Sequence, residues 1–153
     1  MMNFDAVAIL KEVSVILSEH NEKTQSLVMI TRLLKEKVFH YDWVGFYILN
    51  EEKNGLVLGP YTGAHTDHTF IPVGKGICGQ VAQNKQTMVV QDVSTVENYL
   101  SCSINVQSEI VVPILKDGEF VAELDIDSHS PAPFTNDDEI LLEKICRELV
   151  LIF

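Results

Sequence analysis

Apolar residues recur every three or four positions along the first part of the chain. Phe4, Val7, Leu10, Val13 and Leu17 form one such stripe, and Leu27, Ile30, Leu34 and Val38 form a second. That period lines one face of a helix. The polar segment His20-Asn21-Glu22-Lys23 separates the stripes, so the chain is predicted to open with two helices. From Trp43 the pattern changes. Trp43 to Leu49 is dense in aromatic and branched residues, Asn50 to Gly55 ends in Asn-Gly, and Leu56-Val57-Leu58 resumes the apolar run. This predicts an antiparallel hairpin with a longer loop. Ser108 to Leu115 and Glu119 to Asp127 predict a second hairpin, turned on Lys116-Asp117-Gly118, and the unbroken run Ile110-Val111-Val112 suits a central strand. Between the hairpins, Gly74-Lys75-Gly76-Ile77-Cys78-Gly79 packs three glycines into six residues, which implies close backbone approach and unusual dihedrals. A short helix over Cys78 to Gln83 and a strand over Thr87 to Val90 follow. Ser94 to Val106 is polar and long enough to be a functional loop.

The last helix is signalled most clearly. Pro131 and Pro133 precede it, Thr135 can cap it, and Asp138 stands three residues later as in a capping box. Asp137, Asp138 and Glu139 suit the positive end of its dipole, with Lys144 and Arg147 towards the other end. Leu142, Ile145, Leu149 and Ile152 form its stripe. No linker, repeat or low-complexity stretch interrupts residues 1–153, which read as a single α+β domain: an antiparallel sheet with helices packed on it.

Composition narrows the function. The 153 residues carry 11 Lys+Arg against 22 Asp+Glu, a net charge of −11, with 46% apolar residues. A chain of this length buries about 70% of the surface its unfolded form exposes, enough for a core without metal or disulfide staples. The charge repels nucleic-acid phosphates and favours ligands carrying an amine. No apolar run approaches the roughly 18 residues of a membrane span, and the N-terminus lacks a basic region followed by an apolar one. Three cysteines without a CxxC do not make a disulfide scaffold. The expectation is a cytoplasmic protein with reduced thiols.

Several residues carry possible chemistry. Cys78 opens the short helix, whose dipole and free N–H groups lower a thiol pKa, although a buried inert Cys at a tight turn is the plainer reading. Cys102, between Ser101 and Ser103 in the polar loop, is open to either a reactive or an inert reading, and Cys146 in the last helix reads as core. Asp125 and Asp127 alternate along one strand and share a face, and Glu109 begins the strand paired with it. Converging carboxylates call for a metal, a substrate amine or a shared proton, unless they line a solvated outer face. His65-Thr66-Asp67-His68 offers a His-x-x-His pair, a weak metal signal. Gly74-Lys75-Gly76 lacks the spacing and ending of a phosphate-binding P-loop.

Taken together, Trp43-Val44-Gly45-Phe46-Tyr47, Leu56-Val57-Leu58-Gly59-Pro60, Gly74 to Gly79, Ser108-Glu109-Ile110-Val111-Val112-Pro113 and Leu124-Asp125-Ile126-Asp127-Ser128 resemble, in order, the motifs of the free methionine-(R)-sulfoxide reductases. The resemblance implies a GAF domain: a six-stranded antiparallel sheet, with the N- and C-terminal helices on one side, often a homodimer. It implies an oxidoreductase that needs no cofactor or metal and reduces free L-methionine (R)-S-oxide. Cys102 would be the nucleophile, passing through a sulfenic acid to a disulfide recycled by thioredoxin. Cys78 matches a second family cysteine. Glu109, Asp125 and Asp127 match the carboxylates of the substrate pocket, with Glu109 or Asp127 supplying the proton. Trp43 and Tyr47 match the wall around the sulfur end. A third family cysteine, ten residues before the position of Cys78, is His68 here, a candidate to hydrogen-bond or activate Cys102. That departure keeps open a GAF module that binds an amino-acid-like ligand without turnover. A metal-dependent enzyme using His65, His68 and a Cys is the third reading.

Overall fold

The computed structural model describes residues 3–97, 99 and 105–153. Helices α1 (Ala6–Ser18) and α2 (Lys23–Lys37) form as the two stripes predict. Asp5 caps α1, its carboxylate accepting the Ala8 N–H at 3.0 Å. In α2 the predicted Leu27, Ile30 and Leu34 are fully buried. In α1 the buried residues are Ile9, Val13 and Ile16, whereas Val7 is 65% exposed. The segment Ala6-Val7-Ala8-Ile9-Leu10 is apolar all round, so spacing alone offers more than one stripe. Packing against α2 and α4 selects among them.

Strands β1 (Trp43–Leu49), β2 (Gly55–Thr62), β3 (Phe70–Pro72), β4 (Met88–Val90), β5 (Ser108–Lys116) and β6 (Glu119–Ser128) form one antiparallel sheet in the order β3-β2-β1-β6-β5-β4. Helix α3 (Gly76–Asn84) lies between β3 and β4 in the chain, and α4 (Asn136–Leu149) follows β6. The β5–β6 turn places Asp117 at φ 52° and Gly118 at φ 80°. Two successive positive φ values match the type I′ twist that Asp-Gly favours. Strand β3 is the element the apolar pattern misses: three residues at the sheet edge, paired with β2.

The sheet is covered on both faces. Val44, Phe46, Ile110, Val112, Leu124 and Ile126 pack against α1, α2 and α4. Trp43, Tyr47 and Val111 face the other way and pack with Ile77, Cys78 and Val81 of α3. Period-two alternation therefore sends Leu124 and Ile126 to the first core, and Glu123, Asp125 and Asp127 to the α3 side. The start of α4 is pinned by Asp138. Its Oδ1 accepts from the Tyr41 hydroxyl at 2.8 Å and lies 2.7 Å from His40 Nε2, and its Oδ2 accepts the Thr135 N–H at 2.8 Å. This is the capping box expected from Thr135 and Asp138, extended into the core. Cys146 is buried against the Val112 carbonyl, a core residue as expected. Among the described residues no helix is long and apolar enough to cross a membrane.

Candidate active site

The sheet register assembles the site. Along β6, Glu123 stands opposite Tyr47, Asp125 opposite Gly45, and Asp127 opposite Trp43 on β1. On the other side Glu109 of β5 pairs with Asp127, and Val111 with Asp125. Two of these rows place a carboxylate beside an aromatic ring. At the row between them Gly45 leaves Asp125 without a facing side chain. A Cβ on Gly45 would fall 2.6 Å from Trp43 Cζ3 and 2.8 Å from Tyr61 Cβ. Glycine there lets the Trp43 ring lie back over the strand, stacked on Tyr61 at 5.2 Å between centroids and 6.4 Å from Tyr47. The Trp43 indole N–H donates to the Ala64 carbonyl, and the Tyr47 hydroxyl donates to that of His68, fixing both rings.

The glycine-rich turn brings Cys78 to the carboxylates. Gly74 and Gly76 adopt φ of 92° and 66°, and a Cβ on Gly79 would meet the Pro72 carbonyl oxygen at 2.5 Å. The turn is closed by Gly74 N–H donating to the Gly79 carbonyl at 2.8 Å. Cys78, the third residue of α3, then lies with Sγ 3.4 Å from Asp125 Oδ2 and 3.8 Å from Glu109 Oε1. A carboxyl oxygen of Glu109 and one of Asp125 lie within 4.8 Å of each other. These groups line a cavity of about 10 Å³, closed by Tyr47, His68 and Lys75.

The electrostatics reverse one expectation. Cys78 does not have the lowered pKa of a helix-start thiol. Burial raises it, and the carboxylates of Asp125, Glu123 and Glu109 raise it further. Helix-end charge is small and local, whereas removal from water and adjacent anions act in the same, opposite direction. Burial likewise raises Asp125, against hydrogen bonds from Glu109 and Cys78 that pull it down. The carboxylates are not a solvated face: Glu109, Glu123, Asp125 and Asp127 are each at most 3% exposed.

Glu123 is a site residue that sequence reading passes over. It is fully buried beside Cys78. Burial raises its pKa well above the ordinary value. A carboxyl whose folded pKa is raised stabilises the fold below its unfolded value, about 4.3, and loses that contribution as pH rises through the folded value. Thermal melts should therefore show stability falling from pH 4.5 upwards, and Glu123→Gln should flatten part of that slope while leaving the acid limb unchanged. An unaltered slope in the variant would refute this.

Of the remaining predicted residues, His68 borders the cavity, as a substrate-side residue would. His65 does not join it: exposed, it pairs with Asp67 at 3.0 Å. Cys102 lies outside the described residues. Tyr61, Gly45 and Lys75 join the predicted set, Lys75 as a cation at the rim. A larger cavity of about 510 Å³, between α4 and the β4–β5 edge, holds none of the predicted residues.

The GAF domain family model matches residues 24–152. The chain is 36% identical to GAF domain-containing protein A of Dictyostelium discoideum, over 92% of this chain and 87% of that protein. It is 34% identical to the free methionine-R-sulfoxide reductase of Escherichia coli, over 81% of this chain and 73% of that one. The free methionine-R-sulfoxide reductase of Neisseria meningitidis, solved with its substrate, superposes with a TM-score of 0.91 at 33% identity, covering 97% of this chain and 87% of its own. With a GAF sheet, a buried thiol among carboxylates and relatives of this kind along most of its length, the chain belongs to the free methionine-R-sulfoxide reductase family of GAF-domain proteins.

Proposed function

We propose that this chain reduces free L-methionine (R)-S-oxide to L-methionine, with Cys102 as the attacking thiol. One observation carries the reading: a buried cluster of acidic side chains and a thiol, with the stacked aromatics on the same sheet face. The cluster suits the α-ammonium of a free amino acid. Asp125 takes that ammonium, Lys75 at the rim takes the carboxylate, and Trp43 and Tyr47 enclose the S-methyl end, where sulfur–aromatic contacts contribute about 0.3–1.5 kcal/mol. A cavity of about 10 Å³ holds one water-sized sphere, so binding must widen it.

The chemistry follows from the proton inventory. The Cys102 thiolate attacks the sulfoxide sulfur, and the S–O bond breaks as the oxygen passes to Cys102 and takes up a proton. A carboxylic acid, Glu109 or Asp127, supplies it directly or through water. Methionine leaves and Cys102 is a sulfenic acid. Cys78 then attacks that sulfur and water departs. Because the Cys78 thiol is held protonated, its proton must be taken as it attacks, and Asp125 Oδ2 at 3.4 Å is placed to take it. Thioredoxin reduces the resulting disulfide by exchange. We read residues 1–153 as one domain acting in the cytoplasm as a homodimer through its terminal helices. Exposed apolar Val7, Val15 and Leu151 support the dimer.

Incubation with free methionine sulfoxide, thioredoxin, thioredoxin reductase and NADPH tests the reading. NADPH should be consumed, and Cys102→Ser should lower the rate about 10³-fold or more, the scale of losing a nucleophile. Cys78→Ser should still form one methionine per chain while losing thioredoxin-driven cycling. Turnover that survives Cys102→Ser would remove it as nucleophile. His68 at the family's third thiol position favours one alternative, a ligand-binding GAF module; binding without NADPH consumption would establish that instead.

A further inference from the structure

We propose that the reduced pocket is a binding site for a thiophilic divalent cation of the zinc class, held by Cys78, Glu109 and Asp125. Their ligand atoms lie within 4.8 Å of one another, and all three residues are buried. Tetrahedral zinc, with Zn–S near 2.3 Å and Zn–O near 2.1 Å, needs sulfur and oxygen ligands about 3.6 Å apart. The observed Sγ···Oδ2 and Sγ···Oε1 separations of 3.4 and 3.8 Å bracket that value. The sheet and the glycine turn thus hold one thiol and two carboxylates at coordination spacing before any ion arrives.

A second observation points to a cation. Asp125 Oδ1 is buried and has no hydrogen-bond partner among the described residues, and Glu123 brings a further fully buried carboxylate to Cys78. All four carboxyl groups in this patch are at most 3% exposed. The cavity of about 10 Å³ admits an ion or a water where an amino acid requires widening. The site is distinct from the His65-x-x-His68 pair, since His65 points away to Asp67. Because Cys78 must be a thiolate ligand, oxidation to a disulfide abolishes the site. Occupancy therefore blocks the pocket reversibly and only in its reduced state.

Cobalt(II) reports such a site by its thiolate-to-metal absorption in the near ultraviolet and its tetrahedral visible bands. Anaerobic titration of the reduced protein should saturate at one equivalent and be bleached by one equivalent of zinc. The Cys102→Ser/Cys146→Ser double variant, in which Cys78 is the sole thiol, should keep the charge-transfer band. Cys78→Ser should lose it, and Glu123→Gln should weaken cobalt binding about tenfold, as loss of a supporting group does. Absence of the band from the double variant, or its persistence in Cys78→Ser, would overturn the proposal. The titration contains no substrate, so its outcome is independent of the reductase reading.

Discussion

Asp125→Asn should raise KM for free methionine (R)-sulfoxide about 100-fold in an NADPH-coupled assay, and should also lower kcat because the same carboxylate is proposed to take the Cys78 proton. Asp125 is 1% exposed, occupies the middle of the acidic row and pairs across the sheet with Gly45. Its Oδ1 has no hydrogen-bond partner among the described residues. Asparagine keeps the size but loses the charge proposed to hold the α-ammonium. Removing one member of a buried charged pair costs about 2–5 kcal/mol, and 100-fold corresponds to about 2.7 kcal/mol. An interaction equal in ground and transition states appears in KM. Glu109→Gln should show a different signature, a fall in kcat with KM nearly unchanged, because it removes a proposed proton donor. A variant Asp125→Asn that binds and turns over like the parent would refute the assignment of the ammonium site.

Asp138→Ala should destabilise the protein by about 3–5 kcal/mol, the scale for breaking a buried polar pair. That corresponds to a fall in Tm of about 10 °C for a chain of this length. Asp138 accepts from Tyr41, His40 and Thr135, and its loss strands the buried His40 and Tyr41 polar atoms as well as uncapping α4. Asp138→Asn, which keeps an acceptor, should cost less. The pH dependence has a defined sign. Burial raises the Asp138 pKa, but hydrogen bonds from His40, the Thr135 backbone and Tyr41 outweigh it and leave the pKa lowered. Its stabilisation is therefore present above the unfolded value of about 3.9 and is lost as pH falls through the lower folded value. The variant and the parent should converge in Tm at the acid end. A constant gap across that range would assign the effect to packing alone.

The two hairpins, the three long helices and the capping box were legible because each rests on local spacing or turn chemistry. Strand β3 was not, since three residues carry no period. The buried face of α1 was ambiguous because the helix is apolar on several sides, and tertiary contact decided between stripes. Alternation correctly put Asp125 and Asp127 on one face, but it could not say whether that face was wet. The answer depends on α3, nine residues whose docking relies on glycine backbone contacts. Glu123 obeys the same alternation, two residues before Asp125, so its signal was available and was passed over near the hairpin turn. The Cys78 pKa was misjudged for a different reason. The helix start is local, whereas the carboxylates that raise it arrive from β5 and β6, more than 30 residues away in sequence.

The site geometry also gives Cys78 a consistent chemical character. A thiol kept protonated among carboxylates is a poor spontaneous nucleophile, yet it has proton acceptors at 3.4 and 3.8 Å. With His68 at the family's third thiol position, Cys78 is the internal resolver proposed above.

The most direct measurement is a single turnover without external reductant. The reduced protein, freed of small thiols, is mixed with racemic free methionine sulfoxide, and the products are resolved by chiral chromatography and peptide mass mapping. The account predicts one methionine formed per chain, loss of the (R) isomer alone, and a new Cys78–Cys102 linkage. No methionine, equal loss of both isomers, or equal yield from Cys102→Ser would contradict it.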